Sequence, residues 1–590
     1  MPRPLVVGNG SLLVNFDNDL YIRDLYYPHV GMENHVEGHE CRLGVWVDGR
    51  FSWIDGSWKK SLRYRDDAMV TDVTLRKEEM GLELRVNDAV HYSENIFVRR
   101  VTIKNTADRD REVRLFLSHD FHLYGISIGD TAHYDPALKA VIHYKNERYF
   151  LIRGISGDEG LYQFSIGIKE FAGAEGTWRD AEDGVLSNNP IAQGSVDSTV
   201  SLRATVPKDG RATVYYWIAA GRNFREVERL NKYILEHGPG KLIDETEIYH
   251  RSWVEKQELN FDKLPEKVVN LFKRSLLIIR TQIDNSGGVV AANDSDILRF
   301  NRDTYSYVWP RDGAFVTYGL VKAGYIEVAN RFFEFCARGQ TKRGFLLHKY
   351  NPNGTFASSW LPWLGSDGKS QLPIQEDETA LVVYALWHHY DLFRNIEFAK
   401  AHYEGLVKRA ADFMVEYRHP RLRLPLPSYD LWEERRGILT FTSAAVYAGL
   451  LAAARFAELF GDPDDASRYR EAAEEVRKGI MEHLYDEKEK RFLRMVNIGE
   501  DGALVKDYTV DSSLYALFEF GVLPPHDPRV VSTMEAVKAR LWCRTGVGGL
   551  ARYEGDQYHR VAGNPVVPGN PWFICTLWLA QWYIAKARTD

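Results

Sequence analysis

The sequence has few cysteines, no surplus of positive charge and no secretory-type start. Its four cysteines in 590 residues are widely spaced without a C-x-x-C pair, which argues against a disulfide framework and a zinc site. A formal net charge of −7 does not favour binding to nucleic acid or to an anionic membrane. No stretch reaches the ~20 apolar residues of a membrane span. We therefore expect a cytoplasmic protein that binds neither nucleic acid nor membranes and needs no cofactor or metal ion.

The length and composition indicate more than one folded domain. A chain of 590 residues exceeds what one hydrophobic core usually supports, and 45% hydrophobic with 27% charged residues is ordinary for a folded protein. The chain has 15 Trp, 32 Tyr and 28 Phe. Many aromatic rings suit the stacking of flat apolar sugar faces, although large cores use them too. The lack of a basic surplus fits a neutral substrate.

The residues up to about 222 alternate between apolar and polar positions, which is typical of β-strands. Asp48-Gly49 separates two such runs and predicts a tight hairpin turn. Asp209-Gly210 predicts a second hairpin, between residues 200–206 and 214–218. Many short strands with turns between them predict an antiparallel β-sandwich.

From about residue 266 the apolar period becomes helical, and two kinds of helix alternate. Helices with one polar face are expected outside, and helices that are apolar nearly all round are expected inside. The outer and inner members of five pairs are 266–283 with 312–321, 326–336 with 379–387, 396–417 with 441–460, 466–484 with 510–520, and 530–541 with 571–585. The alternation predicts a toroid of helical hairpins, which usually closes with six pairs. The predicted domains are a sandwich at 1–222, a charged helical linker at 223–260 and the helical domain at 261–590.

Polar and aromatic residues recur just ahead of the predicted inner helices, which in such a toroid open on one cavity. The segments are Tyr305 to Asp312, Trp360 to Trp363 with Pro373 to Glu378, Tyr429 to Arg436, Lys506 to Tyr508, and Gly548 to Tyr553. Cleavage of a glycosidic bond needs a protonated carboxyl group, and a neighbouring carboxylate raises the pKa of such a group. The adjacent Glu433 and Glu434 are the natural candidates.

Each of these features also has an ordinary structural explanation. Trp309 and Trp432 can be core residues, and Arg311-Asp312 can be an ion pair at a helix start. Residues 433–436 can be a solvated charged surface. Their joint occurrence ahead of successive inner helices favours a site. A metal at His35 and His39 is not expected, because their spacing aligns ligands only on a helix.

Taken together, these motifs resemble glycoside hydrolase family 15, the glucoamylases and related trehalases, over nearly the whole chain. The most specific segments are 309–312, 431–434, 549–553 and 570–573. The resemblance implies a β-sandwich before an (α/α)6 barrel, which hydrolyses terminal α-linked glucose of malto-oligosaccharides and α-glucans with inversion. It implies that Glu433 is the general acid and that Glu434 binds sugar on the leaving-group side. The remaining substrate-binding candidates are Tyr305, Trp309, Arg311, Asp312, Trp360, Gln375, Asp377, Trp432 and Arg552.

The sequence departs from this family at its end. An inverting enzyme needs a second carboxylate that activates water, and the resemblance places this base after the last outer helix. Only five residues follow the last predicted helix, so we expect no sixth helical pair and no general base. A shortened chain, a base from elsewhere and a loss of hydrolysis are alternative explanations. Trehalose hydrolysis, phosphorolysis and sugar binding without turnover are the alternative functions, and the oligomeric state is not indicated.

Overall fold

The computed structural model describes residues 3–257, 259–293, 295–299, 303–365, 368–560 and 567–588. They form two compact units, one of residues 1–307 with 351–353 and one of residues 308–350 with 354–590. The first unit is rich in sheet, and the second is mainly helical. The domain boundaries at residues 222 and 260 stay predictions.

The strands of the first unit follow one another from Leu5 to Gly221. They are β1 Leu5–Gly8, β2 Leu13–Phe16, β3 Ile22–His29, β4 Met32–Asn34, β5 Leu43–Val47, β6 Arg50–Trp53, β7 Lys59–Ser61, β8 Val73–Lys77, β9 Leu82–Val90, β10 Ile96–Asn105, β11 Arg111–His119, β12 Asp130–Asp135, β13 Ala140–Lys145, β14 Arg148–Ser156, β15 Gln163–Ile168, β16 Ile191–Gly194, β17 Val196–Val206 and β18 Arg211–Gly221.

These strands form three antiparallel sheets. A four-stranded sheet has the order β1-β2-β3-β4, a nine-stranded sheet β16-β12-β13-β14-β18-β10-β9-β8-β7, and a five-stranded sheet β15-β17-β11-β5-β6. Val101 and Ile103 of the large sheet share a core cluster with Leu115 and Leu202 of the five-stranded sheet. The alternating apolar residues of both sheets are therefore buried in a common interior, as in a sandwich.

The two predicted hairpins have different outcomes. Asp48 and Gly49 have φ values of 52° and 76°, and their turn pairs Val47 of β5 with Arg50 of β6, which confirms the first hairpin. The second prediction is wrong, because β17 pairs with β11 and β15 whereas β18 pairs with β10 and β14. The turn at Asp209-Gly210 passes from one sheet to the other. Both strands bury alternate residues in the shared core, so the local pattern is the same in either arrangement.

The α-helices of both units come after β1 to β18 in the sequence. They are α1 Phe224–His237, α2 Pro239–Glu255, α3 Glu266–Thr281, α4 Pro310–Lys322, α5 Ile326–Gly339, α6 Glu376–Phe393, α7 Ile396–His402, α8 Arg409–Glu416, α9 Thr440–Leu459, α10 Pro463–Gly479, α11 Ala516–Glu519, α12 Pro528–Leu541 and α13 Phe573–Ala587. Short strands lie between them at β19 Ser428–Tyr429, β20 Arg436–Leu439, β21 Tyr485–Asp486, β22 Arg491–Phe492, β23 Met495–Ile498 and β24 Leu504–Asp507.

Helices α1 and α2 cover the outer side of the large sheet. Their apolar residues, including Leu230 and Ile243, share a cluster with Trp217 of β18. The segment predicted as a helical linker is therefore packed on the strands of its own unit.

The second unit contains both helices with one exposed face and helices that are buried nearly all round. Helices α6 and α9 are buried on nearly every side, whereas α5 and α10 bury one face only. By length and composition α9 is apolar enough to cross a membrane, but 89% of its apolar window is buried within the protein. Burial of this kind is typical of a core helix.

Two of the predicted inner helices differ from expectation. The segment at 510–520 forms a 3-10 turn at Ser512–Tyr515 followed by the single turn α11. Helix α13 buries Trp578 and Trp582, but Phe573 is 93% exposed and Leu577 is 60% exposed. Among the residues that the structure describes, no element covers this apolar face, so its composition alone predicted more burial than it has.

His35 and His39 do not share an environment. His35 is buried and its Nε2 lies 2.8 Å from the Tyr27 carbonyl oxygen. His39 instead lies close to Asp120 and His122. The Lys169 ammonium group donates to both Asp120 and His122, so a side-chain cation already stands among these groups.

Candidate active site

Arg311 is a buried arginine in the first turn of α4. Pro310 begins the helix at a position where no backbone N–H is needed. Arg311 is 5% exposed, and its Nη1 lies 3.1 Å from Asp377 Oδ2 and 3.7 Å from Glu378 Oε1. Asp312 Oδ1 lies 3.5 Å from Arg311 Nε, yet 43% of its side chain is exposed. A buried cation thus stands beside a carboxylate that a ligand can reach.

Helix α6 begins with three consecutive buried carboxyl groups. Burial raises the pKa of Glu376 and of Glu378 well above the ordinary value, so both favour the uncharged form. Asp377 Oδ1 accepts a hydrogen bond of 3.1 Å from Thr442 Oγ1, while Oδ2 contacts Arg311. Asp377 therefore orients the Arg311 guanidinium group.

Glu433 and Glu434 are consecutive residues of a tight turn at residues 430–435. Asp430 Oδ1 accepts the backbone N–H groups of Glu434 at 2.8 Å and Arg435 at 3.0 Å, and the Asp430 carbonyl accepts from the Gln375 amide. Glu433 has a φ of 63°, which is uncommon for a residue other than glycine. Such a backbone costs about 1–3 kcal/mol and persists where the surroundings enforce it, often at functional sites. The two adjacent carboxyl groups consequently have different neighbours.

Glu433 contacts a histidine that is held on both ring nitrogens. Glu433 Oε2 lies 3.2 Å from His348 Nε2. Trp309 Nε1 donates a hydrogen bond of 3.2 Å to the same nitrogen. His348 Nδ1 lies 2.8 Å from Ser359 Oγ. The Trp360 ring is 5.0 Å from the imidazole and remains 43% exposed. An exposed ring beside a carboxyl group suits the apolar face of a sugar.

Electrostatic interactions join Glu433 to the groups at the start of α4. Partial burial and the carboxylates of Glu433 and Asp377 raise the pKa of Asp312, and Arg311 opposes this rise. Burial by itself lowers the pKa of Arg311, but the surrounding carboxylates outweigh it and raise the pKa above the ordinary value. Arg311, Asp312 and Glu433 therefore belong to one site.

Glu434 belongs to a second group of residues around Arg552. Arg552 donates through Nε and Nη2 to Asp556, with both contacts at 2.7 Å, and Nη2 also lies 3.1 Å from Glu434 Oε1. The Tyr553 hydroxyl donates to Glu434 Oε2. The guanidinium carbon lies 5.1 Å from the centre of the Trp432 ring. This bidentate and stacked arrangement fixes the arginine beside a carboxylate that stays 34% exposed.

Asp430 gives the stability of this turn a pH dependence. Burial raises the pKa of Asp430 to about 6 from 3.8, although the backbone N–H groups oppose the rise. The folded protein binds this proton more tightly than the unfolded chain does. As the pH rises from about 4 to about 6, the free energy of unfolding should therefore fall by roughly 2–3 kcal/mol for this group. Asp430→Asn should remove that part of the fall in urea unfolding at a series of pH values. Equal falls in both proteins would speak against this effect.

The structure brings most of the predicted site residues into two groups joined by the 430–435 turn. The first contains Trp309, Arg311, Asp312, Trp360, Asp377 and Glu433, the second contains Trp432, Glu434 and Arg552, and Gln375 bonds to the turn itself. Tyr305 lies in the first compact unit. The roles predicted for the individual residues stay predictions.

Three residues of these groups lie outside the segments that the sequence indicated. They are His348, Asp556 and Asp511, which accepts the indole N–H of Trp432 at 3.0 Å. Tyr553 ends the predicted segment 548–553, but no role was predicted for it. His348-Lys349 stands between Leu347 and Tyr350, and such a polar pair inside an apolar run was an available signal. Asp556 is four residues after Arg552, which was also detectable.

Comparison with known proteins finds similarity to glycosyl hydrolases. The sequence profile of Glycosyl hydrolases family 15 matches residues 268–589. An uncharacterized glycosyl hydrolase of Methanocaldococcus jannaschii is 27% identical over 589 residues, which are 98% of this chain and 87% of that protein.

Relatives with more specific names are similar over smaller shares. A glucoamylase of Clostridium sp. (strain G0005) is 28% identical over 349 residues, which cover 54% of this chain and 43% of that protein. Trehalase 2 of Sulfolobus acidocaldarius is 23% identical over 69% of this chain and 70% of that protein. The crystal structure of a bacterial glucoamylase complexed with acarbose has a TM-score of 0.76 at 18% identity and covers 99% of this chain and 86% of that one. The last comparison concerns the fold alone.

Proposed function

This chain belongs to glycosyl hydrolase family 15, and we propose that it removes terminal α-linked glucose from malto-oligosaccharides and α-glucans with inversion. The observation that carries the proposal is the convergence of Glu433 with Arg311 and Asp312 beside an exposed tryptophan. An acid, a pair of hydrogen-bonding groups for hydroxyls and an apolar stacking surface are the parts that cleavage of a glucoside needs.

In this proposal Glu433 is the general acid. Its O–H bond breaks as the glycosidic oxygen takes the proton, and the bond from that oxygen to the anomeric carbon breaks as water attacks from the opposite face. Arg311 and Asp312 hold the hydroxyls of the terminal glucose. Glu434 and Arg552 bind the sugar on the leaving-group side. The attacking water loses one proton to solvent as it becomes the new hydroxyl of glucose, and the carboxylate left on Glu433 regains a proton from solvent.

Two further parts of the sequence prediction belong to the proposal. We propose a toroid of outer and inner helices, because α6 and α9 are buried on nearly every side and alternate with helices that have one exposed face.

An inverting reaction also needs a carboxylate that activates water, at roughly 6.5–9.5 Å from the acid. We assign this role to no residue of the chain. Loss of a general base is expected to lower the rate by about 10²–10⁴.

The decisive experiment incubates the full chain with maltotriose and with trehalose, each with and without inorganic phosphate. The proposal expects glucose from maltotriose without phosphate, and nuclear magnetic resonance should show the β-anomer first. Glucose from trehalose alone would assign the chain to trehalose hydrolysis, a substrate supported by the trehalases among its relatives. Glucose 1-phosphate formed only with phosphate would replace hydrolysis by phosphorolysis. Binding without any product would reject turnover.

Asp312→Ala should weaken the binding of even the smallest ligand. Asp312 is the exposed carboxylate beside Arg311, and hydrogen bonds to a charged group are worth about 1.5–3 kcal/mol. The dissociation constant for maltose should therefore rise about 10- to 100-fold, as measured by calorimetry in proteins that also carry Glu433→Gln and so cleave no sugar. Asp391→Ala, which removes a carboxylate that is 51% exposed and pairs with Arg394, is the matched control and should leave the constant unchanged. Equal constants for wild type and Asp312→Ala would remove this residue from the site.

A further inference from the structure

Beside α2, the outer side of the nine-stranded sheet carries a polar cavity that the proposed function does not use. Strands β9, β10 and β18 are neighbours there, and every second residue of each faces outward because the residues between belong to the core. The cavity holds about 370 Å³, within the range of about 300–1,000 Å³ that is usual for small-molecule sites. One lining residue, Glu83, is acidic. Five are basic, namely Arg65, Arg85, Arg100, Lys104 and Arg211.

Two of the basic residues stand directly opposite each other in the sheet. Lys104 of β10 is in register with Arg211 of β18 on one side and with Glu83 of β9 on the other. Glu83 Oε2, however, lies 2.5 Å from Arg76 Nε. Among the residues that the structure describes, none forms an ion pair or a side-chain hydrogen bond with the cationic group of Lys104 or of Arg211. Like charges directly opposite destabilise a sheet, so this pair favours the binding of an anion.

Two more cations of the cavity meet at a neutral oxygen. Asn87 Oδ1 accepts hydrogen bonds from Arg65 Nη2 at 3.1 Å and from Arg100 Nε and Nη2 at 3.2 and 3.1 Å. Asp244 Oδ1 of α2 lies 3.6 Å from Arg100 Nη1 and 3.9 Å from Arg65 Nη1, and Glu247 pairs with Arg65. Asn87 is 3% exposed and therefore holds the two guanidinium groups side by side without neutralising them.

The neutral residues between these cations carry hydroxyl groups. Thr102 of β10 is in register with Thr213 of β18, and Tyr215 is in register with Arg100. All three hydroxyl-bearing residues are partly exposed. Residues two apart on a strand are about 7 Å apart, so the two threonines lie one step from the pair of Lys104 and Arg211. Hydroxyl groups can donate to and accept from the hydroxyls of a sugar.

We propose that this cavity binds a phosphate monoester of a small sugar. A phosphate group carries about −1.5 to −2 charges and three acceptor oxygens, which match the two unpaired cations of Lys104 and Arg211. The sugar hydroxyls then meet Thr102, Thr213 and the guanidinium group of Arg100. The inference goes beyond the proposed function and does not depend on it, because every lining residue belongs to the first compact unit.

The test measures the binding of glucose 6-phosphate, inorganic phosphate and glucose to the full chain by calorimetry. Wild type should bind glucose 6-phosphate more tightly than inorganic phosphate or glucose. Lys104→Met combined with Arg211→Met should raise the dissociation constant for glucose 6-phosphate about 100-fold, because a hydrogen bond to a charged group contributes about a factor of ten or more. The constant for glucose should not change.

A second variant tests the like-charge pair itself. Arg211→Glu places a negative charge opposite Lys104, so it should abolish the binding of glucose 6-phosphate. It should also raise the melting temperature of the unliganded protein by about 1–3 °C, since it replaces a repulsive cross-strand pair by an attractive one. A lower melting temperature together with unchanged binding would contradict both expectations.

The control variant combines Arg229→Met with Lys232→Met on α1. These side chains are 57% and 75% exposed and do not line the cavity, so the constants should equal those of wild type. No binding of glucose 6-phosphate to wild type, or equal constants for wild type and the variant of Lys104 and Arg211, would overturn the inference. Inorganic phosphate that binds as tightly as glucose 6-phosphate would overturn the assignment of a sugar ligand.

The hydrolysis of maltotriose separates this inference from the proposed function. Lys104→Met with Arg211→Met should cleave maltotriose at the wild-type rate, because neither residue belongs to the candidate active site. Absence of hydrolysis by wild type would reject the proposed function, and the binding of glucose 6-phosphate would still decide the inference about the cavity.

Discussion

Replacement of Glu433 by glutamine should abolish the turnover of maltotriose while the binding of the oligosaccharide is kept. Glutamine has nearly the same shape as glutamate, but its amide cannot deliver a proton to the leaving oxygen. Removal of a general acid costs about 10²–10⁴ in rate. Product release in a stopped assay measures the rate, and calorimetry measures the dissociation constant.

The matched control for this substitution is Glu416→Gln, which makes the same chemical change at the exposed end of α8. It should keep the wild-type rate and affinity. Wild-type turnover in Glu433→Gln would remove the assignment of the acid. Loss of both turnover and binding would place Glu433 among the residues that hold the sugar.

Replacement of Arg311 by methionine should cause a large loss of stability. Arg311 is 5% exposed and pairs with Asp377, which is 0% exposed, so the substitution leaves a buried carboxylate without its cation. Removal of one partner of a buried ion pair costs about 3–5 kcal/mol. At about 2–4 °C per kcal/mol, the melting temperature measured by circular dichroism should fall by roughly 6–20 °C.

Two further variants show whether the stranded charge is the cause. Arg468→Met removes an arginine that is 41% exposed and pairs with Asp412 and Asp465, so it should cost less than about 1 kcal/mol. Adding Asp377→Asn to Arg311→Met removes the unpaired charge and should recover part of the lost stability. The explanation fails if Arg311→Met and Arg468→Met melt alike, or if the double variant is no more stable than Arg311→Met.

The residues of the candidate site differ in their effect on the stability of the fold. Asp377 and Arg311 are buried and compensate each other, whereas Glu433 sits in a strained backbone and Trp360 stays exposed. A strained carboxyl residue is retained only when its surroundings enforce it, and here the Asp430 side chain and the Gln375 amide do so. The residues that hold the turn are therefore as relevant to function as those that face a ligand.

The elements of the chain could be predicted because their evidence is local. Period-two runs mark the strands and helical periods mark α5, α6, α9 and α10, since each pattern follows from the face that an element buries. The turn at Asp48-Gly49 was predictable for the same reason, as residues with positive φ are its requirement. The polar segments ahead of the inner helices also predicted most of the residues that the two groups of the candidate site contain.

The predictions that failed concern contacts between elements that are distant along the chain. The strands on either side of Asp209-Gly210 alternate as a hairpin would, yet they pair with other strands in two different sheets. Helix α13 is apolar enough for a core helix, but exposure of Phe573 and Leu577 depends on what packs beside them. No periodicity contains this information, because it describes one element and not its neighbours.

The sequence by itself determined the order of strands and helices, the family resemblance and the carboxyl, arginine and tryptophan residues from which a sugar site can be built. Only the tertiary structure decided that Glu433 meets His348 while Glu434 meets Arg552, although the two are neighbours in the chain. The physical reason is that a side chain's direction depends on backbone dihedrals, and its proton depends on donors and acceptors from other segments. Both are set when the chain packs.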